Sequence, residues 1–167
     1  MHTSGVFGAL IRLGARLRGR PHRDNHVAIV VDAAGGIVEA RPEGVRRGSI
    51  SEYSSKYSLT NVNQPKTTDQ RSQVAAVALS LLDHGYDWAA ISADVTNVFD
   101  IDDPLVKDWA DGTTPARFVC SSLAAYVYTK AGLDCPKGGR FCTPGDWARF
   151  VGEHGFSAAP GEPDRTG

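Results

Sequence analysis

The chain has 167 residues, 41% of them hydrophobic and 22% charged, with a formal net charge of -1. That length supports one domain with its own core and no need of disulfide or metal support, and a charge near zero excludes a global attraction to nucleic acid. Three cysteines is an odd number, so at least one thiol stays unpaired within the chain.

Val6, Phe7, Leu10, Ile11 and Leu17 fall near helical spacing and predict a helix over 5–18, ended by "RGRP". Arg12, Arg16, Arg18, Arg20 and Arg23 make this stretch basic. The positive charges follow the apolar run, the reverse of a secretory signal, and no span approaches the roughly 18 apolar residues of a membrane helix. The plain reading is a helix with one buried and one solvated face. A transit peptide or a helix lying on a membrane is the alternative. Without interleaved aromatic residues the arginines do not read as a nucleic-acid interface.

The period then changes. "HVAIVV" (26–31) and "GIVEA" (36–40) are short and rich in β-branched residues, and "DAAG" between them predicts a hairpin. Further strands are expected at "VRRGSIS" and "YSLTNV". In "TTDQRSQVAAVALSLLDHG", Thr67 and Gln70 stand in the relation of a capping box, and Val74, Val77, Ala78, Leu81 and Leu82 form one apolar face. A second helix is expected from Asp87 to Phe99, carrying Trp88, Ile91 and Val95. "DIDDPLVKDWADGTTP" follows as a solvated acidic loop; Pro104 and Leu105 stand where a calcium loop needs flexibility and a glycine turn. "FVCSSLAAYVYTKAGL" is a helix with Cys120 at its mouth, and Thr143 and Pro144 cap and open a last one. Residues 155–167 lack periodicity and predict a mobile tail beyond a single domain at 1–154.

Free cysteine is among the most buried residue types, so Cys120 has a plain structural reading. The sharper one is a nucleophile, because the first turn of a helix favours thiolate. A nucleophilic thiol in a hydrolase needs a histidine to take its proton and later donate it to the leaving group. Of the five histidines, His2 and His154 lie near the ends, His22 is among arginines and His84 ends a helix. His26 begins an apolar strand. Side chains alternate along a strand, so an even hairpin loop puts Glu39 on the face of His26, within reach of an imidazole hydrogen bond. An odd loop would put it on the other face. A buried glutamate in "GIVEA" is costly without such a partner.

Cys135 and Cys142 flank "PKGGRF" with no histidine nearby, so they read as two unlinked thiols rather than a zinc site, with a disulfide as the alternative. No glycine-rich segment follows a strand and opens a helix, which leaves nucleotide binding without support. No cofactor and no metal are expected.

"NHVAIVVDAAGGIVEARPEGV", the later "YDWAAI", and "FVCSSLAAYVYTKAGL" followed by "TPGDWARF" resemble the circularly permuted NlpC-type papain-like superfamily, in particular its YiiX-like branch. The resemblance covers about residues 5–150, and many relatives carry a glutamate where Ser122 stands. It implies an α+β, permuted papain-like fold in which a central antiparallel sheet packs against the cysteine-bearing helix. Carried over by position, Cys120 is the nucleophile, His26 the general acid and base, and Glu39 the group that orients the imidazole. The backbone N–H of Cys120 would help form an oxyanion hole. The implied function is a cysteine peptidase or amidase acting through an acyl-enzyme, with bacterial cell-wall peptides as leading substrate. Alternatives are a lipid acyl hydrolase or acyltransferase, and a non-catalytic module of a larger assembly such as a phage tail. The expected location is cytoplasmic or virion-associated, with protein partners in the assembly case.

Overall fold

The computed structural model describes residues 26–54, 67–88, 114–137 and 142–154. The expected helix at 5–18, the strand at "YSLTNV", the helix to Phe99 beyond Trp88, the acidic loop up to 113 and the tail at 155–167 lie outside the described residues. Within them the chain is a mixed α+β protein with a three-stranded antiparallel sheet and four helices.

The hairpin forms as its residues dictate. β1 (Ile29–Val30) pairs antiparallel with β2 (Gly36–Arg41), Ile29 opposite Val38 and Val30 opposite Ile37. Asp32 closes the turn: its Oδ1 accepts the Gly36 N–H at 2.8 Å and its carbonyl accepts the Gly35 N–H. Gly35 sits at φ 84°, left-handed backbone that glycine adopts without a Cβ penalty. The loop is even, and the register continued by one step sets Ala28 opposite Glu39, with His26 diagonal to it.

A tight turn at Pro42 and Glu43 leads to β3 (Gly44–Ser49), which places Glu39 opposite Arg46 and Arg41 opposite Gly44. Gly44 lies at φ 124°, and a Cβ there would stand 2.9 Å from the His84 carbonyl oxygen. That close approach allows the Val45 N–H to reach the same oxygen at 2.8 Å, tying β3 to the chain ahead of β4 (Gly85–Tyr86). β4 pairs with β5 (Arg117–Phe118) as a parallel couple, a feature the strand patterns do not reveal because each partner is two residues long.

α1 is the single turn Ser51–Ser54 directly after β3. α2 (Thr68–Ser80) opens with the expected capping box: the Gln70 N–H donates to Thr67 Oγ1, and the Thr67 N–H donates to Gln70 Oε1. It buries Val74 and Ala78, with Leu81 just beyond its end. α3 (Cys120–Lys130) is the central helix, with residues 120–128 all buried. α4 (Pro144–Glu153) starts on the Thr143 cap and buries Trp147, Phe150 and Val151; the Trp147 ring meets Tyr128 edge-on at 5.0 Å.

α2, α3 and α4 share one core on one side of the sheet. Ile29, Val38, Ala40 and Val45 share a core with Val74 and Ala78 of α2 and with Leu123, Ala124 and Val127 of α3. Burying such side chains contributes roughly 1.5–3 kcal/mol each, so this layer fixes where the mouth of α3 stands. No helix among the described residues is long and apolar enough to cross a membrane.

Candidate active site

Two side-chain contacts hold the first turn of α3. Val119, the residue before the helix, has no capping side chain, and the Ser122 hydroxyl takes over: it accepts the Val119 N–H and donates to the Val119 carbonyl, both at 3.0 Å. Serine thus has a local role at the position where a glutamate is common in the family resembled. Behind it, the Ser121 carbonyl accepts the Trp147 indole N–H and the Cys142 thiol, each at 3.2 Å, while the Ser121 hydroxyl donates to the Cys142 carbonyl. Cys142 is therefore a buried packing thiol. All three cysteines are unpaired.

His26, Glu39 and Cys120 come together in space. The His26 Nε2 lies 2.6 Å from Glu39 Oε2, and because a carboxylate only accepts, Nε2–H is the donor. That leaves Nδ1 for the side of the Cys120 sulfur, on which the His26 charge and the backbone N–H groups of Val27 and Ser121 act to favour thiolate. The three do not all project from one sheet face. Ile37 and Glu39 point away from the face that α3 packs against, since Val38 and Ala40 occupy that one. His26 precedes the paired part of β1, free of the ladder, and spans from Glu39 to Cys120.

Glu39 has two further partners, Tyr53, which the sequence does not announce, and Arg46, which with Arg41 is a salt-bridge partner the sequence offers. Tyr53, from α1, donates its hydroxyl to Glu39 Oε2 in a short hydrogen bond and stacks its ring on His26 at 5.9 Å. Arg46 places Nη2 2.6 Å from Glu39 Oε1 as an ion pair without hydrogen-bond alignment, and the same nitrogen donates to Glu52 Oε2 at 2.8 Å. Gly48 leaves room for this cluster: a Cβ there would be 3.0 Å from Glu52 Oε1 and 3.3 Å from Glu39 Oε1. The turn at Pro42 and Glu43 sets Arg46 opposite Glu39. Tyr53 has no comparable signal.

The electrostatics follow from these contacts. Burial opposes charge on the imidazole, but the Cys120 thiolate, the hydrogen bond to it and the Glu39 carboxylate outweigh burial and raise His26 to about 9. Burial likewise opposes thiolate at Cys120; the His26 imidazolium, its hydrogen bond and the backbone N–H groups of Val27 and Ser121 prevail and hold the thiol below its ordinary range. At Glu39, burial is overcome by hydrogen bonds from His26 and Tyr53 and by the charges of His26 and Arg46, which bring the carboxyl down to about 2. The arrangement can therefore hold a thiolate–imidazolium pair at neutral pH. Among the described residues no group of three or more His, Cys, Asp and Glu side chains is gathered that could hold a metal ion.

Cys142 supplies an internal control for this charge state, since it is as buried as Cys120 but burial pushes its thiol up. At pH 7 iodoacetamide should alkylate Cys120 well ahead of Cys142 and Cys135. Peptide mapping of the alkylated protein reads the order; equal modification of Cys120 and Cys142 in the folded state would contradict an activated thiol. A scan against protein-family models, a search of curated proteins and a search of solved structures each gave no match for this chain.

Proposed function

We propose that the protein is a thiol hydrolase with a permuted papain-like fold, cleaving an amide through an acyl-enzyme on Cys120. The observation that carries the reading is the position of the His26 imidazole, held through Nε2 by Glu39 at 2.6 Å and in contact with Cys120 on its other side. In this mechanism the thiolate attacks the amide carbonyl carbon, and the developing oxyanion is received by the backbone N–H of Cys120 at the mouth of α3. His26 gives its Nδ1 proton to the departing amine as the C–N bond breaks, leaving a thioester. The neutral imidazole then takes a proton from water, whose oxygen attacks the thioester; the C–S bond breaks, the carboxylic acid leaves and gives its proton to solvent, and the thiolate–imidazolium pair is restored. Glu39 keeps Nε2 protonated and the ring oriented throughout.

The substrate class we propose is the peptide of bacterial cell wall, alone or as part of a cell-wall-directed assembly such as a phage tail. Incubation with purified cell wall and, separately, with an acylated lipid, followed by mass spectrometry of the products, tests it. The expected result is new peptide fragments, each cleavage adding one water. Release of fatty acid with cell wall left intact would replace this reading with a lipid acyl hydrolase. Silence in both, with tight association to other proteins, would replace it with a structural module.

A further inference from the structure

We propose that Tyr53 is a positioning residue of the thiol-hydrolase unit: its hydroxyl, turned one way by Arg41, fixes Glu39 Oε2 where the His26 Nε2–H donates, and so holds the imidazole for Cys120. This rests on the thiol-hydrolase reading and adds to it a fourth member, which acts through Glu39.

The two ends of this hydrogen-bonded chain set its direction. A guanidinium only donates and a carboxylate only accepts. Arg41 Nη1–H donates to the Tyr53 oxygen at 2.7 Å, so the phenolic hydrogen goes to Glu39 Oε2, the same oxygen that accepts the His26 Nε2–H at 2.6 Å. A charged donor on the phenol oxygen polarises its O–H and strengthens the bond it gives. The other cations near Glu39 act differently. Arg46 Nη2 stands 2.6 Å from Oε1 and Arg41 Nη1 3.9 Å from it, yet Oε1 receives no aligned hydrogen bond from either. They supply charge without direction. Because His26 is the group to be positioned, the Tyr53 hydroxyl is the one directed donor among the described residues that sets this carboxylate independently of it.

His26 needs such a hold. It lies ahead of β1 and outside the paired register, so the place of its ring is set by side chains rather than by strand pairing. Tyr53 is itself tied down on α1. Its N–H donates to the Ile50 carbonyl at 3.0 Å, and Glu52 beside it accepts the Ser49 N–H at 2.9 Å and Arg46 Nη2–H at 2.8 Å. The phenol ring is buried and stacks on the imidazole with 28° between the planes. A phenylalanine would serve that packing equally well. The hydroxyl between guanidinium and carboxylate is the part that packing does not require.

Tyr53→Phe keeps the ring and deletes the hydroxyl, and two readouts follow the change without any substrate. By NMR of protein carrying isotope-labelled histidine, the His26 Nε2–H should exchange with water roughly ten-fold faster than in wild type. The pH of half-maximal Cys120 alkylation by iodoacetamide should rise by roughly one unit, because a loosely held imidazolium stabilises thiolate less. A tyrosine that only packs would leave both unchanged. An unchanged exchange rate or an unchanged midpoint in Tyr53→Phe, with Cys120 still reacting ahead of Cys142, overturns the positioning role and spares the nucleophile. Cys120 reacting no faster than Cys142 in wild type overturns the hydrolase reading and the role of Tyr53 together. Should Tyr53→Phe unfold and expose Cys142, Arg41→Ala decides, since it frees the same hydroxyl from a half-exposed position. It should give smaller changes of the same sign, and no change there overturns the proposal.

Discussion

Cys120→Ala is expected to lose amide turnover by about 10³- to 10⁶-fold, because no other group in the cluster can carry the acyl intermediate. His26→Ala should cost nearly as much. A thiolate without its imidazolium has no proton to give the leaving amine, and the thioester would have no base to activate water. The two together should be little worse than either, since members of one catalytic unit fail non-additively. The fold should survive both changes. Alanine suits the first turn of α3, whose position is set by Ser122, Ser121 and Trp147 rather than by the thiol. Without His26, Glu39 retains Tyr53 and Arg46. Turnover and melting temperature on the same variants are the check; full activity in Cys120→Ala would remove the enzyme reading outright.

Glu39→Gln is expected to lose both rate and stability, and the geometry explains why the two are not separable. Oε2 accepts from His26 and Tyr53, while Oε1 faces Arg46 at 2.6 Å. An amide has one acceptor end. If its oxygen serves His26 and Tyr53, its NH₂ is driven against Arg46, donor against donor; if it turns, the two hydrogen bonds are lost instead. The rate should fall roughly ten- to a thousand-fold, the range expected when an orienting group is weakened. Breaking a buried ionic cluster by removing one partner should also lower the melting temperature, on the order of 10 °C.

The pH dependence of stability gives this prediction a second, signed readout. Glu39 is depressed from 4.5 in the unfolded chain to about 2 in the folded one. A depressed carboxyl contributes stability that is complete above its unfolded pKa and is lost as pH falls toward the folded value. The contribution is on the order of 3 kcal/mol. Wild-type protein should therefore lose stability steeply between about pH 4.5 and 2, and Glu39→Gln should show a flatter decline there. Equal slopes for the two proteins would mean that the carboxylate is not held as described. A destabilised Glu39→Gln variant with full rate per folded molecule would remove Glu39 from the catalytic unit and leave Cys120 and His26 in it.

Much of the fold and of the site is legible in local pattern. Thr67 with Gln70, and Thr143 with Pro144, announce helix starts because capping is a matter of residues three apart. The hairpin follows from β-branched runs around "DAAG", whose even length puts Glu39 on the face of His26. Cys120 at a helix mouth is equally local, as the apolar run from Leu123 opens the helix core.

The β1–β2 hairpin, the helices α2, α3 and α4 and the pairing of His26 with Glu39 are thus written in the chain itself, because helix caps, strand alternation and loop parity act over a few residues. Packing between distant segments set everything else. It placed α3 on the Val38 and Ala40 face, opposite Glu39, because buried apolar area draws the helices to that side. His26 was left to bridge the two sides from beyond the end of the ladder. It also brought Tyr53 beneath the imidazole and Arg41 onto the Tyr53 hydroxyl. Those contacts depend on how α1 folds back from β3, and no periodicity in the chain encodes the angle of that return.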